Sequence, residues 1–214
     1  MCSDKNVVVT KAISRYSMSF TSGALLSHES ITVAKIFSEL ADWDAVRDRV
    51  VADNRLQMRT RNASQRIYRE VTSRLKQLTT TELEIVLDGS QQEQSQVLWL
   101  AVCKRYRFIY DFAVETMREK FLRLDLHLTY EDYRVFFNGR AEWHTEVARV
   151  TSATRDKQRQ IVFKMMREAG LLSGDQRIIP ALLSARLVDA IRRDDPAHFA
   201  VFPVTELDVM RWTQ

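Results

Sequence analysis

The sequence is short of the residues that punctuate or brace a chain. Five glycines and three prolines in 214 residues are too few for the many tight turns of an all-β sandwich or barrel, and they favour helices. The two cysteines, Cys2 and Cys103, supply neither a disulfide framework nor a Cys-based zinc set, and so fit a reducing cytosol. No uncharged apolar run approaches the roughly 18 residues that a membrane span needs, and Met1 to Thr10 lacks the basic-then-apolar pattern of a secretory leader. A cytoplasmic chain with no membrane partner is therefore expected. No glycine falls in a P-loop or dinucleotide fingerprint, which argues against nucleotide hydrolysis. His28, His127, His144 and His198 are scattered, without the i, i+4 pair of a zincin-like site. The acid pairs Asp42 with Asp44 and Asp194 with Asp195 read as a helix cap and a turn. No catalytic residue, cofactor, metal or small-molecule substrate is expected.

The remaining composition is that of an ordinary globular protein, 45% apolar and 28% charged, long enough to bury a real core. The net charge of +4 is modest, so its distribution matters more than its total.

Residues 1–28 are Ser-rich and irregular and read as an arm leading into a first helix over Glu29 to Leu40. Asp42 caps a second helix, in which Trp43, Val46, Val50 and Val51 share one buried stripe. Asn62 and Gln65 are spaced as a capping box that starts a third helix, and Thr81 with Glu84 repeats the spacing before a short helix ending at Gly89. Ser90 with Glu93 opens the most apolar segment, through Trp99, Tyr106, Phe112 and Phe121, which reads as central core. The aromatic series Tyr106, Phe108, Tyr110, Phe112 and Phe121 falls in this helical setting and reads as packing, not as a base-stacking platform. Further helices are expected over Thr129 to Phe137, Ala141 to Val150 and Ser152 to Ala169, with Gly170 as a stop, and near Ala185 to Arg193. Arg177 to Ile179 and Ala200 to Val204 have weak β character. The expectation is a compact all-α fold with helix-turn-helix-like elements and room for a small β wing near residues 171–180. Two helical parts, 1–88 and 89–214, are expected to pack as one unit.

The strongest functional signal lies between Arg55 and Lys76. Seven basic residues (Arg55, Arg59, Arg61, Arg66, Arg69, Arg74 and Lys76) face one acid, Glu70, so this segment is +6 against +4 for the whole chain. At about 100° per residue, Ile67, Val71, Leu75 and Leu78 cluster on one side of the helix, and Gln65, Arg66, Arg69, Ser73 and Lys76 fall on the other. An ordinary solvated helix intersperses acids for i, i+4 pairing, and this one has almost none. Preceded by the Trp43 helix, it has the layout of a helix-turn-helix offering Arg, Gln and Ser to phosphates and base edges. Its connecting turn is longer than the compact form. A second candidate is the start of the Ser152 helix, where Thr154, Arg155, Lys157, Gln158 and Arg159 gather at a helix N-terminus suited to phosphate. Ile161, Val162, Met165, Met166 and Ala169 form its inner face, with Lys157, Gln160, Lys164 and Arg167 outward. Phe163 falls on the exposed flank and needs a partner.

Four strings, in this order along the chain, resemble the BrxA family of BREX bacteriophage-exclusion systems. They are Tyr16-Ser17-Met18-Ser19-Phe20-Thr21-Ser22-Gly23, Asn54-Arg55-Leu56-Gln57, Cys103-Lys104-Arg105-Tyr106-Arg107 with Asp111-Phe112, and Met166-Arg167-Glu168-Ala169-Gly170-Leu171-Leu172. The resemblance implies a helical accessory protein without enzymatic activity, working beside a methyltransferase and ATPases, with other BREX defence proteins as partners. The family is also similar in outline to NusB-like helical bundles, which bind RNA, and no residue role is carried over from either. The leading expectation is a double-stranded DNA-binding protein that contacts mainly phosphates. A protein-interaction scaffold and an RNA-binding module stand as alternatives.

Overall fold

The computed structural model describes residues 15–213, so Cys2 and the Met1 to Thr10 segment lie outside the described residues. Among these, twelve α-helices, a π-helical stretch and a 3-10 helix form an all-α fold without a strand, as the sequence predicts. In chain order they are α1 (Ser27–Leu40), α2 (Trp43–Ala52), α3 (Arg61–Leu75), α4 (Thr80–Asp88), α5 (Gln91–Arg105) and α6 (Arg107–Phe112), followed by the π-helical stretch Ala113–Arg118 and α7 (Glu119–Leu122). Then come α8 (Tyr130–Ala141), α9 (Thr145–Ala148), α10 (Ser152–Glu168), α11 (Ala185–Asp194), the 3-10 helix Pro196–Val201 and α12 (Glu206–Thr213).

Helix α5 is the axis, packed by α1, α3, α4, α6, α10 and the 3-10 helix. Its apolar residues run all the way round, so every side from Val97 to Cys103 is buried, as expected of a helix enclosed on all sides. Trp99 is fully buried, and its indole N–H donates to the Val201 carbonyl at 2.9 Å, which relieves the one polar atom that burial would otherwise strand. Lys104, near the end of the same helix, meets Glu82 of α4 at 2.7 Å and Asp194 of α11 at 2.8 Å. Three distant elements are thereby fixed by one cation. The expected core aromatics behave as predicted: Tyr106, Phe108 and Phe112 are buried, and Tyr110 and Phe121 half-buried. Phe163 finds its partners in Tyr130 and Phe112, with ring centroids at 4.8 and 6.4 Å. It is buried where helical geometry alone placed it on an exposed flank.

Several boundaries move. The start of α3 is Thr60, whose Oγ1 accepts from the Ala63 N–H; Asn62 is an exposed helical residue and forms no capping box with Gln65. The box before α4 is Thr79 with Glu82, two residues earlier than expected, because Glu82 is drawn inward to Lys104 and its position selects among three consecutive threonines. The Asp42 cap and the Ser90–Glu93 box fall as predicted. Helix α8 continues to Ala141, leaving only the single turn α9 from the segment expected to be helical to Val150. Ala200 to Val204 forms no strand: Ala200 and Val201 close the 3-10 helix that Pro196 starts, and Phe202, though extended, pairs with no neighbouring strand. The wing is reduced to two isolated antiparallel bridges, Leu172 with Ile178 and His127 with Arg177.

At the end of α10 the Gly170 N–H donates to the Arg167 carbonyl and the Leu171 N–H to that of Met166, a Schellman closure that needs the left-handed φ of +73° at Gly170. The chain then turns the buried Leu171 and Leu172 back into the core.

Candidate nucleic-acid interface

Helix α3 divides cleanly. Ile67, Tyr68, Val71, Leu75 and Leu78 are buried, while Arg66, Arg69 and Lys76 stand in solvent and Gln65 and Ser73 are half-buried. Ser73 spends its hydroxyl on the Glu70 carbonyl, and Lys76 rests over the Trp43 ring at 5.5 Å. Upstream, Arg55, Arg59 and Arg61 are exposed on and beside the connector, residues 53–60. That connector is held by Asn54, whose side chain bonds both the N–H and the carbonyl of Met58, and by the buried Leu56. Among the described residues none of Arg55, Arg59, Arg61, Arg66, Arg69 and Lys76 has a carboxylate in ion-pair contact.

The seventh cation behaves oppositely. Arg74 is 2% exposed; it pairs with Glu70 at 2.7 Å and donates to the Ala24 and Leu25 carbonyls at 2.7 and 3.3 Å. Glu70 also accepts from the Tyr106 hydroxyl at 2.7 Å. The segment's only acid and one of its arginines thus cancel inside the protein, and the excess positive charge is left wholly on the outside.

The start of α10 is less open than its sequence suggests. Gln158 is fully buried and donates to the Met18 carbonyl at 2.7 Å, so it is not presented to solvent. Arg155 lies over Phe137 at 5.7 Å, and Arg159 lies over Tyr130 at 4.5 Å while reaching Asp156 at 3.2 Å. Thr154 is half-buried beside the capping Thr151. Of the five residues singled out there, Lys157 alone is exposed. One turn and two turns on, Gln160 and Lys164 are exposed on the same side.

The two basic helices, far apart in sequence, meet at one cleft of about 430 Å³, lined by Arg66 from α3, Lys157, Gln160, Ile161 and Lys164 from α10, and the loop Thr21, Ser22 and Gly23. The loop belongs to a strap, residues 15–26, tied to both sides. Gln158 and Glu168 of α10 bond the Met18 carbonyl and the Leu25 N–H, Arg74 of α3 bonds Ala24 and Leu25, and Glu146 of α9 takes the Tyr16 N–H at 2.7 Å. Gly23 adopts φ +74°, a left-handed conformation that favours glycine, and a Cβ there would press on the end of the Leu26 side chain at 2.6 Å. Periodicity has no purchase on such a strap; its one trace in the sequence is the string from Tyr16 to Gly23 in the family resemblance.

Among the described residues no three His, Cys, Asp or Glu side chains are grouped as a metal site requires, and no helix is long and apolar enough to cross a membrane.

A solved structure of an uncharacterized protein from Magnetospirillum magneticum has the same fold, with a TM-score of 0.75 at 22% identity, covering 94% of this chain and 99% of that one. Two proteins named BREX protein BrxA are similar in sequence. One, from Bacillus cereus (strain H3081.97), is 26% identical over 166 residues, 76% of this chain and 81% of that protein. The other, from Escherichia coli O9:H4 (strain HS), is 23% identical over 155 residues, 72% of this chain and 73% of that protein. The family model BrxA matches residues 14–195, a span that holds the strap, both basic helices and the cleft between them, and the chain belongs to the BrxA family.

Proposed function

We propose that this protein is a non-enzymatic, double-stranded DNA-binding component of BREX phage defence that grips chiefly the phosphate backbone. The observation that carries the reading is the row of exposed cations from Arg55 to Lys76 without an acid in contact, which Lys157 and Lys164 join across the cleft. Protein folds normally interleave opposite charges on exposed helices; a one-signed face retains its repulsion until an anion neutralises it. A phosphate backbone is the extended anion that matches such a face. Helix α2, the connector and α3 then act as a helix-turn-helix with a long turn, α3 facing the duplex. Arg155 and Arg159 brace α10 against Phe137 and Tyr130 in this reading, and Gln158 holds the strap.

Replacing Arg66 and Arg69 by Glu weakens duplex binding by more than about tenfold and flattens its salt dependence, because fewer counterions are released. A folded double variant that binds duplex as tightly as the wild type contradicts the assignment.

A second reading has its own observation. Leu207 and Met210 of α12 and Leu182 before α11 are exposed apolar side chains, at 71%, 53% and 77%, remote in sequence from the basic residues. They suit contacts with other BREX proteins, and co-purification with those partners that is lost on Leu207→Asp supports a scaffold role beside DNA binding.

A further inference from the structure

Three cations from two helices converge on the cleft between α3 and α10: Arg66, Lys157 and Lys164. No carboxylate lines it; the nearest acid contact is Glu168, 3.7 Å from Lys164, and Glu168 is already engaged by the Leu25 N–H at 2.7 Å. The remaining wall is the Thr21–Gly23 turn, which brings the hydroxyl-bearing Thr21 and Ser22 and the backbone of Gly23 to the cleft. Like charges facing one another across a concavity repel, and concavity concentrates the field, so the arrangement is relieved by one small anion seated between them.

We propose that this cleft is a seat for a single phosphoryl group, held jointly by Arg66, Lys157 and Lys164 and by the hydroxyls of Thr21 and Ser22. The ligand chemistry is a tetrahedral oxyanion bearing several acceptor oxygens. In the reading above, on which this proposal partly rests, that group is one phosphodiester of the duplex. The seat therefore makes α3 and α10 two sides of one contact instead of two independent DNA-binding surfaces. The strap, tied to both helices, sets the distance between them.

The test compares wild-type protein with the variant carrying Arg66→Gln, Lys157→Gln and Lys164→Gln. All three side chains are exposed, and Gln is tolerated in helices, so thermal melting verifies that the variant folds. Two readouts are taken: the backbone amide resonance of Gly23 during titration with inorganic phosphate, and duplex affinity against salt. The seat predicts that phosphate shifts Gly23 saturably in the wild type and not in the variant. It predicts that the slope of log affinity against log salt falls by about one, because about 0.9 ion is released per phosphate neutralised. Single substitutions at Arg66 and Lys157 combine non-additively, by about threefold or more. A slope that falls by about three, with additive single effects, means that each cation touches its own phosphate; this overturns the seat and leaves DNA binding intact. A Gly23 resonance indifferent to phosphate in the wild type also overturns it. If the wild type fails to bind duplex yet phosphate shifts Gly23, the seat stands with another phosphoryl ligand and the duplex reading falls.

Discussion

Helices α3 and α10 are both basic, both amphipathic and both capped by threonine, yet they present their charge differently. On α3 the outward arginines stand free of acids, and the one arginine that points inward takes the segment's acid with it. On α10 two arginines lie on aromatic rings, a glutamine is buried as a strut, and the charge left in solvent sits on lysines. Formal charge and available charge are therefore separate quantities. A cation seated on an aromatic face or against backbone carbonyls stabilises the fold and has less to offer a ligand.

Four sets of substitutions test how far the two helices differ. The largest effect is expected at Arg74: Arg74→Ala leaves Glu70 and two carbonyls without their cation in a buried place, and should lower unfolding free energy by about 3–5 kcal/mol, measured by urea denaturation. Next is Tyr106, whose phenol is pushed up to about 12 by burial and by the adjacent charge of Glu70. Its unfolded value is about 10, so its contribution is complete below pH 10 and is lost as pH rises toward 12. Tyr106 alone should contribute a fall of about 2–3 kcal/mol across that window, on top of the falls from Tyr16, Tyr68, Tyr110 and Tyr133, whose phenols burial also pushes up. The total fall should be shallower by that amount in Tyr106→Phe. Third, the Arg66→Glu and Arg69→Glu pair should change stability by less than about 0.5 kcal/mol per site while reducing duplex affinity; a large stability loss would mean that the outer face of α3 is structural. The smallest effects on duplex affinity belong to the arginines of α10. Arg155→Ala and Arg159→Ala should each cost about 0.5–1 kcal/mol of stability and shift duplex affinity less than Lys157→Ala does in the same binding assay. Equal losses of affinity on all three would erase the distinction between the helices.

Much of the fold was legible because helices advertise themselves by period and caps. The stripe of α3, the Asp42 cap, the Ser90–Glu93 box and the Gly170 stop follow from local chemistry and fall where expected, whereas the stripe of α2 holds for Trp43, Val46 and Val50 but not for Val51, which stays half-exposed outside the core. Errors arose where a distant residue chose between local options, as Lys104 does for Glu82 and thereby for Thr79 over Thr81. At the candidate interface, the exposed arginines of α3 were legible from their spacing. The inward turn of Arg74 was not, because its partners Ala24 and Leu25 lie on the strap, about fifty residues away and without periodicity. For the same reason the cleft itself was invisible: only the folded chain brings Thr21, Arg66 and Lys157 together.

The most direct test of DNA binding is fluorescence anisotropy of the purified protein with labelled duplex DNA, single-stranded DNA and an RNA hairpin over a range of salt. The account predicts micromolar or tighter binding to duplex, weakening steeply and linearly in log salt, and a preference for duplex over the other two. Flat traces at low salt, or tighter binding to the RNA hairpin, would contradict it.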